Sequence, residues 1–133
     1  DRFVFFPGQR SEKKQIEAKQ LQRMRGVTVA AMKQCGRLFL PEIAVEKPLA
    51  RWESFQGSAL WGELGPQAAP ALRALQECRG WRQLSLCVGP EAGFTDQEAA
   101  QLKALGAVGV TFHSNVLRTD TAAIAFAALA AQF

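Results

Sequence analysis

The stretch Leu84–Phe94, LSLCVGPEAGF, constrains the fold of this chain more than any other. An apolar run from Leu84 to Val88 breaks abruptly into Gly89-Pro90-Glu91-Ala92-Gly93. A short, apolar run closed by Gly-Pro reads as a buried strand ending in a turn. Thr95-Asp96-Gln97-Glu98 follows and fits a capping box, so a helix begins directly after the turn. Strand, glycine-bearing turn and helix N-terminus together place backbone N–H groups at the carboxyl end of a sheet, where α/β proteins bind ligands. The spacing excludes a P-loop, which needs Lys-Ser/Thr, and a G-x-G-x-x-G dinucleotide fingerprint. Standing alone, the turn fits an ordinary strand-to-helix connection better than a ligand loop.

The remainder alternates in the same manner. Arg2–Phe6 reads as a strand closed by Pro7-Gly8. From Lys13 to about Cys35, Ile16, Leu21, Met24, Val27, Ala31, Met32 and Cys35 recur at mostly three- to five-residue steps. They predict an amphipathic helix with Ser11 as its cap and Gly26 as a weak point. Its other faces carry Lys13, Lys14, Lys19, Arg23, Arg25 and Lys33, with Arg37 just beyond. These charges fit either a solvated face or a surface that tracks phosphates. Leu38–Leu40 is short and extended, Pro41–Ala50 reads as loop, and Trp52 and Phe55 anchor a helical turn around Arg51–Phe55. Ala59–Leu64 is a second buried strand. Pro70 opens a helix running to about Cys78 and ended by Gly80, and Trp81 leads into the strand Leu84–Val88. The capped helix Asp96–Leu105 closes at Gly106. Val108–Phe112 is a fourth strand, and Thr119 or Thr121 caps a last helix that is apolar nearly all round. Such alternation predicts one α/β domain over residues 1–133 with a mainly parallel sheet and helices on both faces.

Composition narrows the function classes. A net charge of +4, from 16 Lys and Arg against 12 Asp and Glu, permits a polyanionic partner without requiring one. Cys35, Cys78 and Cys87 are odd in number and lack C-x-x-C spacing, which favours free thiols in a reducing cytoplasm over a disulfide framework. One histidine and scattered cysteines make a structural zinc site a poor fit, so no metal is expected. The longest apolar run, Ala122–Ala131, is too short to cross a bilayer.

GPEAGF at 89–94 closely resembles the GPEGGF loop of the RsmE family, which belongs to the SPOUT superfamily of knotted methyltransferases. Asn115-Val116-Leu117-Arg118-Thr119-Asp120-Thr121-Ala122 resembles that family's second signature, R-I-L-R-x-E-T-A. Ala31-Met32-Lys33-Gln34-Cys35-Gly36-Arg37, with Pro41 and Ile43 beyond, matches its A-x-x-Q-x-x-R…P pattern, and Arg10-Ser11 is a weaker fourth block. Four blocks in the right order cover most of the chain. The resemblance implies S-adenosylmethionine as cofactor and methylation of N3 of a uridine in small-subunit (16S) ribosomal RNA. It also implies a cytoplasmic homodimer and a deep trefoil knot in which Val116–Phe133 threads a loop. Physics alone predicts no knot, since knotted chains are rare.

Site residues follow from the same resemblance. Gly89, Pro90 and Gly93 would admit and shape a close backbone approach to the cofactor. Phe112, His113, Ser114, Val116, Leu117 and Thr119 would form the opposite wall, with Gly62 as a third contributor and Glu91 at the same loop. For the chemistry, Glu91 is the candidate base or base-orienting carboxylate, against a structural hydrogen-bonding role. Arg118 is the candidate for stabilising negative charge on the uracil or holding a phosphate, against an ion pair with Asp120 or Glu91. Arg10, Gln34 and Arg37 are candidate RNA contacts. His113, although the sole histidine, reads as a wall residue rather than a general base.

The sequence departs from the family at several places. Ala92 replaces the first of two paired glycines, which would stiffen the loop. His113-Ser114-Asn115 replaces the leucine-glycine-x-arginine context, and Asp120 stands for a glutamate. Family members also begin with a β-rich, PUA-like RNA-binding domain and a first strand-helix unit, so this sequence reads as starting after both. Two other functions stay open on these departures: a non-catalytic RNA- or ribosome-binding module, and a SPOUT methyltransferase with another RNA target.

Overall fold

The computed structural model describes residues 1–77, 82–112 and 114–133. Among them are six strands and four α-helices, in the order β1 (Arg2–Phe5), α1 (Ala18–Cys35), β2 (Glu42–Val45), β3 (Ser58–Gly62), β4 (Ala69–Pro70), α2 (Ala71–Glu77), β5 (Leu84–Cys87), α3 (Asp96–Ala104), β6 (Val108–Thr111) and α4 (Thr119–Ala130). A 3-10 turn, Leu49–Arg51, follows β2. Every strand pairing is parallel: β1 with β2, and a four-stranded sheet in the order β4-β6-β3-β5.

Strand β3 is central and divides the core by simple alternation. Leu60 points into a cluster with Ala71, Ala74 and Leu75 of α2, Val110 of β6 and Phe126 of α4. Its neighbours Ala59 and Trp61 point the other way, toward Leu49, Cys87, Leu102 of α3 and Ala107. Helices therefore cover both faces of the sheet, as successive strand residues of opposite direction require. The second cluster also joins the two sheets. Phe6, just after β1, packs edge-on to Trp52 at 5.0 Å and stacks with Phe94 at 6.5 Å. Trp52 Nε1 donates to Lys47 O at 2.8 Å, and Gln101 Nε2 donates to Trp52 O at 3.1 Å. The 3-10 turn is thus latched to α3.

Several boundaries differ from the sequence expectation. Helix α1 begins at Ala18 rather than Lys13, because Glu17 and Gln20 form a reciprocal capping box there. The Lys14 ammonium is engaged earlier, donating to Gly8 O and Gln9 O at 2.8 and 2.6 Å. Residues 42–45, read as loop, form β2 against β1. Ala69–Pro70 forms a two-residue edge strand on β6, where proline at the end of an edge needs no ladder donor. Neither threonine caps α4: its N-cap is Arg118, without a side-chain cap bond. Helix α4 buries Ala122 and Phe126 but leaves Ile124 71% exposed. The expected helix end at Cys78–Gly80 and the lead-in Trp81 lie outside the described residues, as does His113.

Cys87 gives the fold a measurable pH signature. Burial pushes its thiol up from 9.0 to about 12, so the folded chain keeps a proton that the unfolded chain releases. The stabilisation is complete below pH 9.0 and is lost as the pH rises toward about 12. In urea titrations across that window, wild-type stability should fall more steeply with pH than that of Cys87→Ala. Equal slopes would contradict the burial of this thiol.

Candidate functional site

The carboxyl ends of three neighbouring strands, β6, β3 and β5, open into one cavity of about 310 Å³. Three segments wall it. Val88, Gly89, Pro90, Glu91, Gly93 and Phe94 come from the loop after β5. Phe112, Ser114, Asn115, Val116, Leu117, Arg118 and Thr119 come from the connection between β6 and α4. Gly62, Glu63 and Leu64 follow β3.

Local rules explain how the first loop holds its shape. Gly93 N–H donates to Pro90 O at 2.8 Å, closing a four-residue turn. Gly93 carries a φ of 71°, and no described non-glycine residue has positive φ. Ala92 therefore sits in ordinary backbone space, and its replacement of a glycine does not strain the turn. A β-carbon at Gly89 would lie 3.1–3.2 Å from the ring and backbone N of Phe94, so glycine is what lets Phe94 fold back on the strand end. Thr95 and Glu98 form the expected capping box, with Thr95 N donating to Glu98 Oε2 at 2.9 Å. Glu98 is 3% exposed, and its other oxygen accepts from Gln9 N–H at 2.8 Å. This buried carboxylate is matched by donors, as burial of charge demands.

The second loop is tied to the first. Thr119 Oγ1 donates to Gly89 O at 3.2 Å. Phe112 packs on Phe126 with ring centroids 4.3 Å apart, and a β-carbon at Gly62 would come 3.1 Å from the Phe112 ring. Sequence reasoning does not single out Glu63, since ALWGEL reads as one strand. Its carboxylate is held at the cavity wall by Lys103 Nζ at 3.1 Å. The same carboxylate crosses Gly109 so closely that a β-carbon there would collide with it. A carboxylate directly after a buried strand is the signal that points to it.

Of the residues expected at the site, Gly62, Gly89, Pro90, Glu91, Gly93, Phe112, Ser114, Val116, Leu117, Arg118 and Thr119 line this single cavity. Glu91 is exposed at its rim, and Arg118 is 88% exposed with Asp120 Oδ1 4.0 Å from its Nε. Hydrogen bonds to the Thr121 backbone and side chain, chiefly, hold the Asp120 carboxyl below the usual carboxylate range. Arg10 stands beside the cavity but reaches the loop itself, donating to Ala92 O at 3.0 Å. Gln34 and Arg37 are not brought to the cavity. They lie at the end of α1, where Arg37 pairs with the Asp1 carboxylate ahead of β1. Among the described residues, no group of three His, Cys, Asp or Glu is placed to hold a metal, and no helix is long and apolar enough to cross a membrane.

Fold and cavity together define an α/β protein with a cavity across the carboxyl ends of parallel strands, the place where such sheets bind ligands. The model of the RNA methyltransferase domain family matches residues 1–131, and the chain belongs to that family. It is 25% identical over 123 residues to ribosomal RNA small subunit methyltransferase E of Buchnera aphidicola subsp. Acyrthosiphon pisum, an alignment covering 91% of this chain and 48% of that protein. The crystal structure of ribosomal RNA small subunit methyltransferase E from Neisseria gonorrhoeae, bound to S-adenosyl methionine, is 27% identical. It superposes with a TM-score of 0.70 over 98% of this chain and 53% of that one. A "probable rRNA-methyltransferase" from Porphyromonas gingivalis shares the fold at 22% identity, with a TM-score of 0.74 over 97% of this chain and 53% of that one. The chain thus spans about half the length of these relatives.

The turn makes an asymmetric prediction. Gly93→Ala forces a β-carbon onto left-handed backbone and should cost about 1–2 kcal/mol in urea unfolding. Ala92→Gly should change stability by less, through unfolded-state entropy alone. Equal effects at the two positions would remove positive φ as the reason for Gly93.

Proposed function

We propose that this chain binds S-adenosylmethionine in the cavity between the two loops and methylates N3 of a uridine in small-subunit (16S) ribosomal RNA. The observation that carries the reading is the convergence of GPEAGF and the VLRTDTA segment on one cavity, in a chain of the RNA methyltransferase domain family. The lining suits such a ligand. Val88, Phe112, Val116 and Leu117 offer apolar walls to a purine, glycine backbone gives close polar contact, and Glu63 and Glu91 offer carboxylates to a cationic group. The volume lies at the lower end of the range of about 300–1,000 Å³ usual for small-molecule sites.

Bound there, the cofactor supplies an activated methyl group. The chain's task is to bind, orient and exclude water. Gly62, Gly89, Pro90 and Gly93 shape the backbone cradle. Phe112, Ser114, Val116, Leu117 and Thr119 close the other side. The uridine N3 proton is weakly acidic, so a base or a positive environment helps it leave. Glu91, on the rim, takes the role of proton acceptor or of its orienting carboxylate. Arg118 balances the negative charge that develops on the uracil, its pairing with Asp120 being long and solvent-screened. Arg10 presents its exposed guanidinium to a phosphate beside the same loop, and Gln34 and Arg37 contact RNA farther along α1.

The same reading places Val116–Phe133 as the threaded part of a deep trefoil knot. It also makes the active form a homodimer, for which the exposed apolar side chain of Ile124 on α4 supplies contact surface. Ribosomal RNA as substrate makes the setting cytoplasmic, in keeping with the free thiols of Cys35 and Cys87.

Calorimetric titration with S-adenosylmethionine tests the cavity. Saturable binding is expected in wild type and should be lost in Gly93→Val. With small ribosomal subunits as substrate, Glu91→Gln and Arg118→Ala should each lower turnover by about 10²-fold or more, the usual range for acid-base and charge-stabilising groups. Turnover unchanged in both variants would overturn the chemical roles, and folded protein that takes up no cofactor would overturn the reading itself.

A further inference from the structure

Charge is spread unevenly along this chain. Residues 13–37 hold seven of the 16 Lys and Arg but only one of the 12 Asp and Glu, Glu17, leaving the rest of the chain net acidic. Helix α1 itself carries Lys19, Arg23, Arg25 and Lys33 and no carboxylate. At 3.6 residues per turn, Leu21, Met24, Thr28 and Met32 share one side of the helix, and all four are half-buried. Lys19, Arg23, Gly26, Ala30 and Lys33 fall within an arc of about 80° on the opposite side. All five are exposed.

Solvation alone does not call for this arrangement. A solvated helix ordinarily offsets its cations with acids three or four residues away. Here Lys19 and Arg23 form a like-charge pair at that spacing, which destabilises an isolated helix. Gly26 adds a further cost of about 1 kcal/mol relative to alanine. A β-carbon at Gly26 would meet nothing within 4 Å, so internal packing does not demand the glycine. What Gly26 and Ala30 do is keep the middle of the face flat between the flanking cations. Lys19 and Lys33 stand about 21 Å apart along the axis, at 1.5 Å per residue.

The approach to this helix runs beside the cavity. Strands β1 and β2 are parallel, so the helix joining them starts on the side where β1 ends. On that side a β-carbon at Gly8 would lie 3.5 Å from the Pro90 ring, and Arg10 holds the carbonyl of Ala92. The Lys14 ammonium binds the carbonyls of Gly8 and Gln9. The chain therefore passes the rim of the proposed methylation site just before it enters α1.

We infer that the outer face of α1 is a docking track for the sugar-phosphate backbone of RNA leading away from the cavity, with Lys19, Arg23 and Lys33 as its phosphate contacts. The inference rests on the RNA methyltransferase reading above. A flat, glycine-centred surface flanked by cations and free of carboxylates fits a regularly charged polyanion, whose condensed counterions the lysines and arginine displace.

The test measures binding of a synthetic RNA hairpin by fluorescence anisotropy over a series of salt concentrations. One triple variant, Lys19→Gln/Arg23→Gln/Lys33→Gln, removes the track with residues of similar helix propensity. A second, Lys47→Gln/Arg51→Gln/Arg73→Gln, removes the same charge from exposed positions elsewhere. The first should bind about 10-fold or more weakly at low salt. Its dependence of log K on log salt should be shallower by about 0.7–0.9 for each phosphate that is no longer neutralised. The second should stay close to wild type. Equal affinity and slope in the track variant and wild type would overturn the inference, as would an equal loss in both variants or no hairpin binding by wild type. Cofactor titration of the same samples separates the two readings: a track effect without S-adenosylmethionine binding leaves the docking face standing and removes the enzymatic role.

Discussion

The double-sided burial of β3 is the constraint on which the rest of this molecule depends. The strand is hydrogen-bonded along both edges, to β5 and to β6, and packed on both faces. Leu60 on one side and Ala59 and Trp61 on the other leave no freedom of register, because a shift of one residue would exchange the two cores. Parallel pairing with both neighbours then brings three chain segments out at the same end. The cavity is the space between those exits. Its position is a consequence of packing beneath it, not of the loops that line it.

The loops are in turn held by polar contacts of modest individual strength placed where they have most leverage. Glu98 is buried, capped by its own helix N-terminus, and reaches across to the backbone of Gln9. Thr119 joins the start of α4 to the carbonyl of Gly89. Hydrogen bonds to an ionised, buried group are stronger than neutral ones and expensive to leave unmade. The segment between β1 and α1, the GPEAGF loop and the N-terminus of α3 are consequently one mechanical unit, although they lie far apart in sequence.

Residues 84–98 are legible in the sequence because every local rule agrees there: an apolar run, a Gly-Pro break and a capping box. The same holds for the alternation that implies an α/β layer with helices on both faces. Strand β2 is not legible, since its four residues follow a proline, two are exposed, and their pairing with β1 is a tertiary fact. Strand β4 is two residues long and includes a proline. The start of α1 is misplaced by sequence because Ile16 continues the apolar rhythm, whereas a capping box and the Lys14 ammonium stop the helix short. At the site, family likeness points to most of the cavity lining. It does not point to Glu63, whose place depends on a lysine from α3 and a glycine from β6.

That last arrangement makes the path of one side chain depend on the bareness of another residue. A methyl group at position 109 would displace the Glu63 carboxylate, which keeps its present path only over a bare backbone. A side chain at position 109 would swing the Glu63 carboxylate off its path, and Lys103 would lose its counter-charge.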